Sequence, residues 1–392
     1  MTVRIFISTG EVSGDLQGAM LVAALQKQAA AQQMSLEIVA LGGDRMAAAG
    51  AKLLGNTSGI GSIGLVESLP YVLPTIGFQR RVRQYLQQHP PDLVVMIDYL
   101  GPNLGIGRYV RQQFPSVPTV YYIAPQEWVW SFGAQNTRRI VSISDRLLAI
   151  FPEESRYYQQ WGANTRYIGH PLVDRMQGAP SREAARQQLG IAPDEMAIAL
   201  VPASRRQELA YLLPVMFEAA QQIQAKLPQV KFWIPLSLEV YRSALEKAIQ
   251  QYGLRATLVT EQTQTALAAA DLAIAKSGTV NLEIALLNVP QVVLYRVHPV
   301  TAWIAKHLLK FSIRFMSPPN LAVMEAIVPE FLQDQATATN LTQAALDLLL
   351  NPQQRETMQQ NYARMRQALG EPGVCDRAAQ EILSLPGLTQ RH

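Results

Sequence analysis

Residues Lys276 to Leu286 read KSGTVNLEIAL. The apolar Asp271-Leu-Ala-Ile-Ala before them predicts a short buried strand. Ser277, Gly278 and Thr279 predict a small polar turn, and Val280 to Leu287 has helical spacing. A helix that starts this way carries backbone N–H groups without intrahelical partners, at the positive end of its dipole. Both attract an anion such as phosphate. Glu283, about one turn in, repels phosphate and needs another partner. A carboxylate accepts two hydroxyl hydrogen bonds, which fits a ribose diol. An ordinary strand–turn–helix with Glu283 stabilising the helix start fits the same spacing. Pro202-Ala-Ser-Arg-Arg-Gln-Glu208 also lies between a strand and a helix. There Ser204 and Arg205 form a second candidate anion site, and a guanidinium is the side chain best suited to fork onto a diphosphate.

The first half of the chain offers acids. Asp98 ends the apolar run PDLVVMID, and an acid at the carboxyl end of a central parallel strand faces the ligand crevice. Glu127 lies in the aromatic loop PQEWVW, whose tryptophans fit either packing or sugar contact. Glu11, Ser13 and Asp15 sit in the stretch Gly10 to Gly18, which reads as a ligand loop or as a structural turn. Its glycine spacing is not the dinucleotide fingerprint. His170-Pro171 begins a connector, and the stiff turn Ser317-Pro-Pro-Asn320 is expected to present Asn320. No Asp-x-Asp pair occurs, which disfavours a metal-bound nucleotide sugar; no metal and no cofactor are expected. The single cysteine, Cys375, excludes an internal disulfide and a multi-cysteine metal site.

These residues need a frame. Apolar runs alternate with helical patterns from Val3 onward, which predicts an α/β protein with parallel, doubly wound sheets. The 392 residues suffice for two domains, and the strand pattern restarts after Pro171. Hydrophobic residues make up 48%, enough for a full core and against global disorder. A net charge of +4 suits an anionic ligand or bilayer and is too small to argue for nucleic acid. The N-terminus reads as a strand and not a signal peptide. No apolar run approaches the ~18 residues of a membrane span, so a cytoplasmic protein is expected.

Between Ile60 and Arg83, Ile63, Leu65, Val66, Leu69, Val72, Leu73 and Ile76 crowd next to Arg80 and Arg81. Apolar residues beside a basic cluster fit a surface that dips into an anionic bilayer, or else a core helix with a solvated basic end. Thr301 to Met316 reads as a basic amphipathic helix with the same two explanations.

Taken in order, these stretches resemble the lipid-A-disaccharide synthases over nearly the whole chain. Gly10-Glu-Val-Ser-Gly-Asp15 is similar to that family's GEASGD loop, and Gly42-Gly-Asp-Arg-Met46 to its GGxxM turn. Tyr122 to Trp130 is similar to YVSPSVWAW, and Ile168-Gly-His-Pro171 with Asp174 to FIGHxxxD. Pro202 to Arg205 matches PGSR apart from Ala203. Ser277-Gly-Thr279 with Glu283 matches SGTxTLE. Pro319-Asn320, Pro329-Glu330 and Gln333 match the last ligand loop.

The resemblance implies a GT-B fold, two Rossmann-like domains with a cleft between them. Residues 1–171 would form the acceptor and membrane-facing domain and 172–370 the UDP-sugar domain, with 371–392 a helix packing back on the first. It implies transfer of 2,3-diacylglucosamine from UDP to the 6-hydroxyl of 2,3-diacylglucosamine 1-phosphate, with inversion, in lipid A biosynthesis at the cytoplasmic face of the inner membrane. Ile60 to Arg83 corresponds to the membrane-facing patch. A homodimer is compatible with this reading. Where the family reads IDxPDFN, this chain reads Ile97-Asp-Tyr-Leu-Gly-Pro-Asn103. The second acid falls on Gly101, so Asp98 or Glu127 is expected to be the base and Arg205 to stabilise the leaving diphosphate. Another GT-B UDP-sugar transferase or epimerase, or a non-catalytic UDP- or lipid-binding homologue, would share many of these residues.

Overall fold

The computed structural model describes residues 2–57, 72–129, 133–202, 206–236, 238–260, 262–298 and 314–386. The chain divides into two compact units: Met1–Asp174 with Leu369–His392, and Arg175–Ala368.

In the first unit the strands are β1 (Thr2–Ser8), β2 (Ser35–Gly42), β3 (Lys52–Asn56), β4 (Leu93–Ile97), β5 (Thr119–Tyr122), β6 (Arg146–Ala149) and β7 (Thr165–Tyr167). They form one sheet in the order β3-β2-β1-β4-β5-β6-β7, every pair parallel. Parallel strands covered by helices on both faces read as continuous apolar runs. Accordingly β4, LVVMI, is buried at all its positions. Strand order reverses between β1 and β4, and loops leaving the carboxyl ends on either side of such a switch point border the ligand crevice.

The second unit repeats the plan with β8 (Met196–Val201), β9 (Val230–Leu236), β10 (Ala256–Thr260), β11 (Leu272–Lys276), β12 (Gln291–Tyr295) and β13 (Glu330–Leu332), ordered β10-β9-β8-β11-β12-β13. The switch point falls between β8 and β11, where Ala275 pairs with Val201. The described sheets thus give the expected α/β, doubly wound class.

The chain returns to the first unit at Leu369. Gly370 and Gly373 take positive φ there, and the helix Val374–Leu383 packs on the helix Glu11–Ala31. Lys27 pairs with Asp376 at 2.6 Å, and Arg146 pairs with Glu381. The Asp174 carboxylate accepts from the N–H groups of Gly373, Val374 and Cys375 at 2.7, 3.1 and 2.8 Å, which anchors the start of that final helix.

The structure corrects two local expectations and adds one strand that the sequence did not mark. Gly10 to Gly18 is not a loop: the helix begins at Glu11. Its glycines serve close packing, because a Cβ on Gly14 would lie 2.1 Å from Thr9 Oγ1 and one on Gly18 would lie 2.5 Å from Met46 Sδ. The edge strand β3, half exposed along its length, lacks the apolar run that marks the central strands. Of the helix expected over 301–316, residues 301–313 lie outside the described residues, and Arg314 to Met316 are not helical.

Candidate active site

The first switch point gathers strained backbone. Glu11, Asp98, Tyr99 and Ile123 all have positive φ, at 63°, 44°, 53° and 58°. For residues with a Cβ this costs roughly 1–3 kcal/mol each, a cost that persists where surrounding structure enforces it and that clusters at functional sites. Here Gly10 closes the turn, because a Cβ on it would sit 2.6 Å from the Tyr99 ring. Asp98 is exposed at the end of β4. Its N–H donates to the Ile123 carbonyl at 2.9 Å, so the ends of β4 and β5 brace each other.

Glu127 is different. It is buried and accepts from Asn136 Nδ2 at 3.2 Å. Trp128 packs on Phe151 with ring centroids 5.6 Å apart, and Trp130 lies outside the described residues. Beneath this loop lies Glu154, which the sequence did not single out. Its carboxylate accepts from the N–H groups of Ala124, Ile150 and Phe151 at 3.0, 2.8 and 3.2 Å, tying β5 to β6. Burial pushes its carboxyl up to about 8, against those three donors. The run Phe151-Pro-Glu-Glu was its one local signal, a proline followed by acid in the first helical turn.

Of the residues expected in the first ligand loop, Glu11 opens the helix and Ser13 is half-buried on its first turn. Asp15 is a correction. Its buried carboxylate accepts from the N–H groups of Gly43, Arg45 and Met46 at 2.7, 3.2 and 3.1 Å. Its carboxylate therefore caps the short helix Asp44–Ala48.

His170 is fully buried, stacks edge-on against Phe151 and accepts from the Leu172 N–H through Nδ1 at 3.2 Å. Burial pushes its imidazole down to about 3, so the ring is neutral. A base whose folded pKa is depressed contributes stability above its unfolded value, near 6.5, and loses it as pH falls toward 3. Urea unfolding should show stability dropping by about 1.4 kcal/mol per pH unit below pH 6.5 from this residue. His170→Gln, which can still accept from Leu172, should flatten that slope.

At the second switch point, Ser277 N–H donates to Leu294 O at 2.9 Å and Gly278 N–H to Asn281 Oδ1 at 2.7 Å. Asn281 is locked in turn by Gln291, with Asn281 Nδ2 to Gln291 Oε1 at 3.1 Å and Gln291 Nε2 to Asn281 O at 2.9 Å. A Gln opening the otherwise apolar strand QVVLY was the only trace of this network. Ser277 Oγ donates to Met316 O at 2.9 Å, so its hydroxyl proton is committed to the protein. Thr279 remains half-buried at the head of the helix Val280–Leu286. Lys276 went unmarked as a site residue. Its ammonium lies 3.7 Å from where a Cβ on Gly278 would stand, which brings a positive charge to the turn.

Glu283 is buried and forms an ion pair with Arg175, Nη1 to Oε1 at 3.3 Å. Ser204 and Arg205 lie outside the described residues. The described chain on either side is Pro202, just past the end of β8, and the helix Arg206–Lys226.

Asn320 is a further correction. It is fully buried inside the helix Pro318–Val323, donates to Val328 O and Glu330 Oε2 at 3.0 and 3.1 Å, and accepts from the N–H groups of Ile327 and Val328 at 2.7 and 2.9 Å. With its amide saturated, it shapes the loop and presents nothing. Gln333 follows β13 with φ 50°, and its carbonyl accepts from Arg296 Nε at 3.1 Å.

Among the residues expected at a membrane, Ile63, Leu65, Val66 and Leu69 lie outside the described residues. Val72 and Leu73 open the helix Val72–Gln88. Along it Ile76 is 45% exposed, and Arg80 and Arg81 are exposed. Among the described residues no helix is long and apolar enough to cross a membrane, and no group of three or more His, Cys, Asp or Glu side chains converges as a metal site.

Two parallel Rossmann-like sheets, each with a switch point bordered by polar turns, define a GT-B fold. The same fold occurs in S. aureus MnaA, solved with UDP, at a TM-score of 0.70 and 14% identity over 98% of this chain and 97% of that one.

The chain belongs to the lipid-A-disaccharide synthetase family, LpxB, whose model matches residues 5–384. It is 61% identical over 381 residues to the lipid-A-disaccharide synthase of Gloeothece citriformis, covering 97% of this chain and 99% of that one. To the enzyme of the same name from Synechocystis sp. it is 54% identical over 391 residues, covering 99% of each. It is a glycosyltransferase of lipid A biosynthesis.

Proposed function

We propose that this chain joins UDP-2,3-diacylglucosamine to 2,3-diacylglucosamine 1-phosphate in one inverting step that needs no metal or cofactor. Asp98 takes the proton from the acceptor 6-hydroxyl. That oxygen forms a bond to the sugar C1 while the bond from C1 to the diphosphate breaks, and its electron pair leaves with UDP. An α-linked donor thus gives a β-1,6 disaccharide 1-phosphate. Ser204, Arg205, the Gly278–Thr279 turn and the Lys276 ammonium hold the diphosphate and receive its developing charge. Glu283, steadied by Arg175, accepts the ribose hydroxyls. Glu11, Ser13 and Gln333 contact the substrates.

The substrate pair comes from the family. The chemistry rests on one observation in this chain: Asp98 is an exposed carboxylate at the carboxyl end of a switch-point strand, on backbone held left-handed by its neighbours. Acceptor profiling tests the proposal. UDP should be released from the diacylated donor only when an acylated glucosamine 1-phosphate is present. Release or epimerisation without that acceptor would contradict it.

The reaction is proposed to occur at the cytoplasmic face of the inner membrane, with Ile76, Arg80 and Arg81 against the bilayer. Arginines near an anionic surface contribute ~1 kcal/mol each. Replacing Arg80 and Arg81 together by Glu should therefore weaken sedimentation with anionic vesicles by at least about 30-fold, with little change on neutral ones.

A further inference from the structure

We infer that Asn103, assisted by Tyr121, is a positioning residue that holds the Asp98 carboxylate in register for proton abstraction. The inference rests on Asp98 being the base.

Asn103 is fully buried one turn into the helix Leu100–Gln113, yet its amide serves the strand ends. Nδ2 donates to the Asp98 carbonyl at 2.7 Å and the Ile97 carbonyl at 3.1 Å, and reaches Ser8 O at 3.4 Å. Ser8 Oγ donates to Asn103 Oδ1 at 2.7 Å. Carbonyls only accept, so the NH₂ must face them, and the serine hydroxyl then fixes the other end of the amide. Tyr121, fully buried on β5, donates its hydroxyl to the same Asp98 carbonyl at 2.8 Å.

Two donors on one carbonyl, together with the N–H of Asp98 on Ile123, clamp the peptide units on both sides of a residue whose φ is 44°. An L-residue relaxes out of that region unless held there. Relaxation would rotate the Cα–Cβ bond and swing the carboxylate, and a misplacement of ~1 Å can cost about 100-fold in rate. None of these bonds reaches the carboxylate itself, so the clamp acts on aim. One amide also ties β1 to β4 across the switch point. No glycine at 98 or 99 relieves the turn, and the clamp takes the place of that freedom.

The test is a double-mutant cycle in the full chain, with UDP-2,3-diacylglucosamine and 2,3-diacylglucosamine 1-phosphate as substrates and product detected by mass. Asn103→Ala should lower kcat about 10- to 100-fold with KM for both substrates within two-fold. The milder Tyr121→Phe, which keeps the ring, should lower it several-fold in the same pattern and serves if Asn103→Ala does not fold. In an Asp98→Asn background neither should cost anything further, because there is no base left to aim.

Equal losses in both backgrounds, a rise in KM at unchanged kcat, or full turnover by both variants would overturn the inference while leaving Asp98 as the base. Full turnover by Asp98→Asn would remove the base assignment, and the inference with it.

Discussion

Asp98→Asn should lower kcat by about 10²- to 10⁴-fold, the range associated with a positioned general base, and leave KM for both substrates nearly unchanged. The amide matches the carboxylate in shape but cannot take the proton of the acceptor hydroxyl. The contacts that set the turn involve the Asp98 backbone: its N–H on Ile123, and its carbonyl under Asn103 and Tyr121. The substitution leaves those backbone bonds in place.

Glu127→Gln provides the contrast. Glu127 and Asp98 compete for the role because Gly101 leaves Asp98 as the one acid in the stretch Ile97 to Asn103. The structure separates them: Asp98 is exposed, whereas Glu127 is buried and tied to Asn136. Glu127→Gln should cost less than about 10-fold. A reversed pair of results would move the base to Glu127.

Arg205→Ala should lower kcat/KM for the UDP-sugar by about 10²- to 10³-fold, comparable to removing one preorganised donor from a site of developing negative charge. The leaving diphosphate gains charge as its bond to C1 breaks. A guanidinium can take two of its oxygens at once, and a lysine meets it only as a point charge. Arg205→Lys should therefore recover part of the loss and not all of it. The loss should fall on kcat as well as KM, since the diphosphate carries more charge in the transition state than in the bound UDP-sugar. Calorimetry with UDP alone should also show weaker binding, because the released diphosphate keeps the charge that the broken bond leaves on it. An Arg205→Ala variant with normal kcat/KM would remove this residue from the diphosphate site.

Much of the frame was legible because parallel strands under two layers of helix have to be apolar runs. VRIFIS, LVVMI, MAIALV and LAIA could be little else, and their alternation with helices fixed a doubly wound plan. Strand β3 escaped because an edge strand need not be apolar on both faces. The helix start at Glu11 was hidden by three glycines that read as loop and serve as packing clearance.

Side-chain roles were less legible for one physical reason: residue type states what a group can bond, not which partner reaches it first. Asp15 and Asn320 look like ligand contacts, yet Asp15 accepts from three backbone N–H groups and the Asn320 amide makes four bonds within its own loop. Glu154, Lys276 and the Asn281–Gln291 pair carried almost no local mark. The left-handed turn at Asp98 and Tyr99 is invisible in sequence, because tertiary hydrogen bonds, and not glycine, impose it.

This chain alone should catalyse one metal-independent inverting transfer between the two diacylated sugars. Purified chain, UDP-2,3-diacylglucosamine and 2,3-diacylglucosamine 1-phosphate should be incubated with excess EDTA, and the anomeric coupling of the isolated product read by NMR. A β-1,6 disaccharide 1-phosphate formed at the rate seen without chelator is the predicted result. An α linkage, or a rate that collapses with EDTA and returns with added divalent metal, would contradict it.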